Sequence, residues 1–157
     1  MADLEPECVQ DYPRPPVVQP VPQRISVKLG GQSLIVTHKA LRVIETHHAP
    51  TYYLPIAELE GDLVPASGRS YCEYKGVAQY WTVTLGDVTV QRAGWSYDAP
   101  TKPFRALRGH IALYAGLMQT CYVGRRRVTP QPGDFYGGWV TSNLTGQIKG
   151  PPGTEFW

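Results

Sequence analysis

Sixteen glycines and fifteen prolines punctuate this chain of 157 residues. Inside a helix Gly costs about 1 kcal/mol and Pro about 3 kcal/mol relative to Ala. A chain interrupted this often has no room for long helices, so bundles and coiled coils are excluded. Ten tyrosines and four tryptophans suit strands and aromatic-lined cavities instead. At this length a single domain buries roughly 68–70% of its unfolded surface, enough for a core of its own. With 42% hydrophobic and 18% charged residues, the composition is that of a folded chain, not a disordered one. The formal net charge of +2 is too small to argue for a nucleic-acid partner.

The N-terminal residues lack the apolar core of a secretory signal. No run reaches the roughly 18 apolar residues of a membrane span. Cys8, Cys72 and Cys121 are odd in number and widely separated, which is not a disulfide framework. A reduced, cytoplasmic compartment is the expectation, and there the sequon Asn143-Leu144-Thr145 has no consequence.

Six prolines fall within residues 1–22 and predict a Pro-rich arm over 1–23. Such an arm is extended and polyproline-like, either strapped over the domain or offered as a recognition segment. The body, residues 24–129, opens with alternating Ile25, Val27 and Leu29. The Gly30-Gly31 turn then leads into Ser33–Thr37, a hairpin signature. Leu41–Glu45 reads as a strand, and Pro50 and Pro55 bracket an extended Thr51–Leu54. Ile56–Leu63 has the character of a single helical turn. Tyr71–Leu85 is strand-like but interrupted at Gly76, and Gly86-Asp87 returns the chain to Val88–Gln91. Ile111–Leu117 and Thr120–Val123 follow, with a turn at Gly124-Arg125. About eight or nine short strands with frequent turn signals predict an all-β sandwich or barrel-like domain. Residues 130–157 form a C-terminal strap rich in Gly and bulky aromatics, expected to lie ordered against the body.

No metal and no cofactor is expected. The cysteines form no close pair, and His47 and His48 are adjacent, so in a strand they point to opposite sides. Both histidines read as residues of a solvated loop before Pro50. There is no Walker-type phosphate loop, no G-x-G-x-x-G unit and no G-x-S-x-G elbow. Gly137-Gly138 reads as a turn between aromatics. Cys72 is a nucleophile only if a histidine lies against it; otherwise it is a small buried strand residue.

Charged and aromatic residues share strand faces. Period-two alternation puts Tyr71, Glu73 and Lys75 on one face and Cys72 and Tyr74 on the other. Trp81 joins the Lys75 face if Gly76 makes no bulge. Glu45 shares the face of Val43, and Arg42 that of Ile44. This mixture builds either an aromatic-walled cup with a few fixed polar groups or a sheet whose charges face water. Arg125–Arg127 is a solvated edge that blocks strand addition, or a nucleic-acid contact; the small net charge opposes the second.

Four segments occur in order: Arg42-Val43-Ile44-Glu45, Pro50-Thr51-Tyr52-Tyr53-Leu54-Pro55, Cys72-Glu73-Tyr74-Lys75-Gly76-Val77-Ala78-Gln79-Tyr80-Trp81, and Ala93-Gly94-Trp95-Ser96-Tyr97 before Pro100. Together, over about residues 24–123, they resemble domain-of-unknown-function family 427. Gly94 between Ala93 and Trp95 departs from the family pattern. The segments 133–141 and 149–154 with Trp157 look like the tail of longer members. The resemblance implies a β-tent-like fold, two small antiparallel sheets meeting at an angle, with little helix. β-tent relatives that hold zinc do so through paired cysteines, which are missing here. Others hold small cyclic ligands in an aromatic cage. The family is also described as nucleotidyltransferase-like, yet this chain has no paired aspartates at metal-chelating spacing.

The reading is a protein that binds a small ligand in an aromatic-lined cleft. Its expected site residues are Arg42, Glu45, Tyr53, Lys75, Trp81, Trp95 and Tyr97. A small molecule is the expected partner, not nucleic acid or a membrane. Two alternatives stay open: an enzyme using Lys75, Glu45 and Tyr97, and a protein-interaction module using the basic turn or the Pro-rich arm. Lys75 either pairs with Glu45, meets a ligand or faces solvent.

Overall fold

The alternation over residues 25–37 becomes a hairpin whose turn residues, Gly30 and Gly31, have φ of 59° and 76°. Those angles are open to glycine at no steric cost. In a computed structural model the described residues are 3–72, 74–133 and 136–150. Their strands are β1 (Glu7–Cys8), β2 (Val17–Pro20), β3 (Ile25–Leu29), β4 (Gln32–Thr37) and β5 (Leu41–Ile44). Next come β6 (Thr51–Pro55), β7 (Asp62–Cys72), β8 (Gly76–Leu85), β9 (Val88–Ser96) and β10 (His110–Leu113). Short strands β11 (Thr120–Val123), β12 (Arg126–Arg127), β13 (Thr129–Pro130), β14 (Trp139–Val140) and β15 (Leu144–Thr145) complete the series.

The fold is all-β. A seven-stranded antiparallel sheet runs β2-β5-β6-β10-β9-β8-β7, and a four-stranded antiparallel sheet runs β12-β11-β3-β4. Two further pairs, β1-β15 and β13-β14, tie down the terminal segments. Helix among the described residues is limited to 3₁₀ segments at Val9–Asp11, Ile56–Glu58, Lys102–Leu107 and Ala115–Leu117. The single turn expected over Ile56–Leu63 is one 3₁₀ turn, because Asp62 already begins β7. The Pro-rich stretch does not stay a polyproline lead-in: Val17–Pro20 pairs with β5 at the edge of the large sheet. An edge strand tolerates proline because half of its N–H groups need no ladder partner.

The inner strands of the large sheet bury apolar residues on both faces. Ile25, Val27, Leu34, Ile35 and Val123 of the small sheet meet Leu54, Val83, Ile111 and Leu113 of the large one in the main core. Trp139 enters that core from the strap, and its indole N–H donates to the Leu113 carbonyl at 2.9 Å. The opposite face carries a second cluster of Val43, Tyr53, Ala78, Tyr80, Trp95, Tyr97 and Ala112, capped by Phe104 and Leu107. Adjacent residues divide between the two: Tyr52 and Leu54 join the main core, whereas Tyr53 between them joins the second cluster. A strand buried on both faces reads as a continuous apolar run, and Tyr52-Tyr53-Leu54 is one.

One expected run of alternation is broken. Strand β7 ends at Cys72, β8 begins at Gly76, and Cys72 pairs with Gly76 across a hairpin. Lys75 therefore sits in a turn, and period-two reasoning cannot be carried through it to Trp81. Glu73, expected on the Lys75 face, lies outside the described residues, as do Phe135, Phe156 and Trp157 of the strap. No helix among the described residues is long and apolar enough to cross a membrane.

Candidate ligand-binding cavity

The second cluster does not fill its face of the sheet. A cavity of about 260 Å³ remains, lined among others by Tyr53, Tyr80, Trp95, Tyr97, Tyr114 and Tyr136. Alternation explains why these rings converge. In an antiparallel pair, directly opposed residues share a face, and Tyr80 opposes Trp95. Tyr97 follows Trp95 at the same parity, and Tyr53 projects from β6 two strands away. Tyr53 meets Trp95 edge-on at 6.5 Å between ring centroids and Tyr97 at 6.4 Å. Trp95 and Tyr114 lie closer, at 4.8 Å.

Polar groups punctuate this wall. Glu45, His48, Ser70, Cys72 and Lys75 line the cavity, and Ser70 Oγ is hydrogen-bonded to the Tyr80 hydroxyl at 2.9 Å. Lys75 is placed by the hairpin turn, whose Lys75 carbonyl accepts the Thr101 N–H at 3.0 Å. The Thr101 hydroxyl also donates to the Tyr74 carbonyl. The Lys75 ammonium stands 5.7 Å from the Phe104 ring centroid. Glu45 faces Arg14 of the N-terminal segment at 3.8 Å. No hydrogen bond or ion pair among the described residues joins Lys75 to Glu45, so of the three alternatives for Lys75 the structural pair is not formed, and Glu45 faces Arg14 instead.

Of the seven residues expected at the site, Glu45, Tyr53, Lys75, Trp95 and Tyr97 line one cavity. Arg42 and Trp81 stand elsewhere. Arg42 shares the face of Ile44, away from Val43. There its two terminal nitrogens donate to Glu7 Oε1 and Oε2, both at 2.8 Å, and Nε donates to Gln19 at 3.0 Å. Trp81 packs against the main core, and its N–H donates to Ser96 Oγ at 2.8 Å. Tyr80 and Trp81 are sequence neighbours in one strand, so only one of them can face the cavity.

The loop between β5 and β6 is the part that sequence reasoning misplaced. His48 was expected in solvent, yet it lines the cavity and is edge-on to Tyr136 at 5.1 Å. Both terminal segments clasp this loop. Thr46 N–H donates to the Pro13 carbonyl, and His47 N–H to the Val9 carbonyl at 3.1 Å. From the strap, Lys149 N–H donates to the His47 carbonyl at 2.6 Å. Gln131 Nε2 stands 3.1 Å from His48 Nδ1, across 83 residues of sequence. Gly137-Gly138 is not a simple turn. A Cβ on Gly137 would lie 1.9 Å from the Trp95 ring, and one on Gly138 2.2 Å from Gln131 Oε1.

Burial sets the protonation of the site. It lowers the His48 imidazole to about 4, and the positive charges of Lys149, Arg14 and Lys75 act in the same direction. It raises the Tyr53 and Tyr97 hydroxyls well above their ordinary range and Tyr114 to about 12. At neutral pH the cavity thus offers the neutral phenols of Tyr53, Tyr97 and Tyr114 and a neutral His48 imidazole, with the basic Lys75 and the acidic Glu45 side chains on the same lining. Among the described residues, no three His, Cys, Asp or Glu side chains gather as a metal set.

A second, wider groove of about 1070 Å³ continues from the cavity, sharing Ser70, Tyr80, Tyr114, Gln131 and Tyr136. Arg92 borders it at a φ of 48°, with its guanidinium 4.1 Å from the Tyr80 ring centroid.

An all-β domain with two antiparallel sheets and an aromatic cavity on the outer face of the larger one is the class that this geometry defines. The sequence profile of domain-of-unknown-function family DUF427 matches residues 17–124, more than half of the chain, and the chain belongs to that family. A comparison with curated proteins finds no match.

Proposed function

We propose that this protein binds a small, ring-bearing molecule in the cavity between Tyr53, Trp95 and Tyr97. The observation that supports the reading most is the cavity itself. Seven aromatic side chains border about 260 Å³ that no side chain fills. Protein interiors pack to the density of organic crystals, so an unfilled space at the meeting point of this many rings is costly unless it serves a ligand. A cavity of roughly 150 Å³ takes up a benzene ring, so this one has room for a ring with one or two substituents. Glu45, Lys75, His48 and Ser70 supply the few convergent polar groups that orient ligands in such sites.

The enzyme reading has less support. No hydrogen bond or ion pair among the described residues connects Glu45, Lys75 and Tyr97 into a proton relay. Burial holds the proton on Tyr97, which suits a donor and not a base.

Native mass spectrometry of protein purified under mild conditions tests the proposal. The wild type should carry a small-molecule adduct that is lost on denaturation and absent from Trp95→Ser. Equal adduct levels on a folded Trp95→Ser protein would move the binding site away from this cavity.

A further inference from the structure

Gln131 is 2% exposed, and its whole amide is committed. Oε1 accepts the Ala49 backbone N–H at 3.1 Å, and Nε2 donates to the Lys149 carbonyl at 2.8 Å. These two bonds fix the amide orientation, because only the oxygen can meet an N–H and only the nitrogen can meet a carbonyl. The second Nε2 hydrogen is left facing His48 Nδ1 at 3.1 Å. A ring nitrogen that faces an N–H must accept. His48 Nδ1 is therefore unprotonated and Nε2 carries the hydrogen, so the tautomer is set by Gln131. Gly138 permits the arrangement, since a Cβ there would collide with Gln131 Oε1 at 2.2 Å.

We infer that His48 is the fixed hydrogen-bond donor of the cavity and that its Nε2–H selects ring-bearing ligands presenting a carbonyl or carboxylate oxygen. This rests on the ligand reading above and names the chemistry of that ligand. No protein acceptor meets Nε2 among the described residues, and none of their buried side-chain nitrogens or oxygens lacks a partner. The Nε2–H of a cavity-lining residue thus keeps access to the open space. Burial first, and then the basic groups Lys149, Arg14, Lys75 and His47, keep it neutral, and the Glu45 carboxylate faces Arg14 at 3.8 Å. A histidine in this state donates one directed hydrogen bond and brings no charge. Lys75, on the same cavity, supplies the charge. A neutral N–H with an ammonium beside it, inside aromatic walls, suits an aromatic ring bearing an acceptor oxygen, with an anionic oxygen preferred.

Two readouts on the full chain test this. Long-range ¹H–¹⁵N correlation spectra at pH 6–7 report the tautomer directly, and His48 should show the neutral Nε2–H pattern. Binding of benzoate, benzamide and toluene then reports selection. Benzoate and benzamide should each bind wild type about tenfold more tightly than toluene, the scale of one hydrogen bond. His48→Phe should erase that advantage while toluene still binds, which also shows that the variant is folded. His48→Gln, which retains an N–H, should recover part of it. Benzoate should bind more tightly than benzamide, because Lys75 lies on the same cavity; equal binding overturns the preference for an anionic oxygen and leaves the Nε2–H selecting a neutral carbonyl. Equal binding of toluene in wild type, or an advantage that survives in His48→Phe, overturns the inference and leaves the aromatic cavity standing. A proton on Nδ1 does the same. Failure of all three probes to bind removes the ligand reading and this inference with it.

Discussion

Gly137 backs closely onto the indole of Trp95: a Cβ added at position 137 would come within 1.9 Å of the ring. The C-terminal strap therefore forms one wall of the cavity by direct backbone contact. Gly137→Ala must move either the strap or the indole. Overpacking of this kind costs about 1–3 kcal/mol. Urea denaturation should show the loss, and Trp95 fluorescence should shift in the folded state. An unchanged midpoint with unchanged emission would mean that the strap does not rest on Trp95.

Trp139 anchors the same strap in the main core. It is fully buried, stacked on Tyr52 at 5.2 Å, and bonded to the Leu113 carbonyl. Trp139→Ala should cost about 3–5 kcal/mol. Trp139→Phe keeps most of the ring packing but leaves the Leu113 carbonyl without its donor, which costs about 1–3 kcal/mol. Equilibrium unfolding of the two variants should rank them in that order.

Arg42 is a structural residue in this account. Its fork is closed on Glu7, and the guanidinium beside that carboxylate holds the Glu7 pKa below its ordinary range. Arg42→Met should destabilise by about 2 kcal/mol, less than for a fully buried pair because both side chains are partly exposed. The stabilisation comes from a depressed carboxylate pKa, so it is complete above the unfolded value and fades as pH falls through the folded one. Benzoate affinity should not change in a folded Arg42→Met protein; a weakened affinity would return Arg42 to the site.

Lys75 makes no ion pair among the described residues, and its one close partner is the Phe104 ring. Lys75→Met should alter stability by no more than about 1 kcal/mol, the scale of an exposed cation–π contact. It should weaken benzoate binding more than benzamide binding. A large stability loss, with both affinities intact, would make Lys75 structural.

His48 gives a pH dependence of defined sign. Its pKa is about 4 in the folded protein, against 6.5 for the unperturbed side chain. The unfolded chain takes up the proton first as pH falls. Stability is therefore full above about pH 6.5 and declines toward pH 4, by at most about 3 kcal/mol. Stability curves of wild type and His48→Gln, measured over that window, should converge as the pH falls. Curves that stay parallel would show that His48 titrates normally.

Much of the fold was legible because glycine turns and period-two alternation are local. Gly30-Gly31 and Gly86 mark hairpins, and the parity of Val43 and Glu45 points both toward the cavity. The same rule failed where it was carried across a turn, as from Lys75 to Trp81. The environment of His48 was not legible. Its neighbours in sequence suggest an exposed loop, and its burial depends on Gln131 and Tyr136, which only the folded strap brings near. Buried polar contacts between distant segments leave no periodic trace. The Gly137-Gly138 pair before Trp139 was the available signal, because two adjacent glycines outside a hairpin mark a place where backbone approaches closely.

The central claim is that the Trp95 cavity binds a small ring-bearing molecule. A benzoate titration followed in ¹H–¹⁵N spectra tests it most directly. Saturable shifts should concentrate on the Trp95 indole N–H and the Gly137 and Gly138 amides, with intermolecular contacts to Tyr53 and Tyr97. Shifts that do not saturate, or that concentrate on the outer face of the four-stranded sheet around Ser26 and Tyr122, would contradict it.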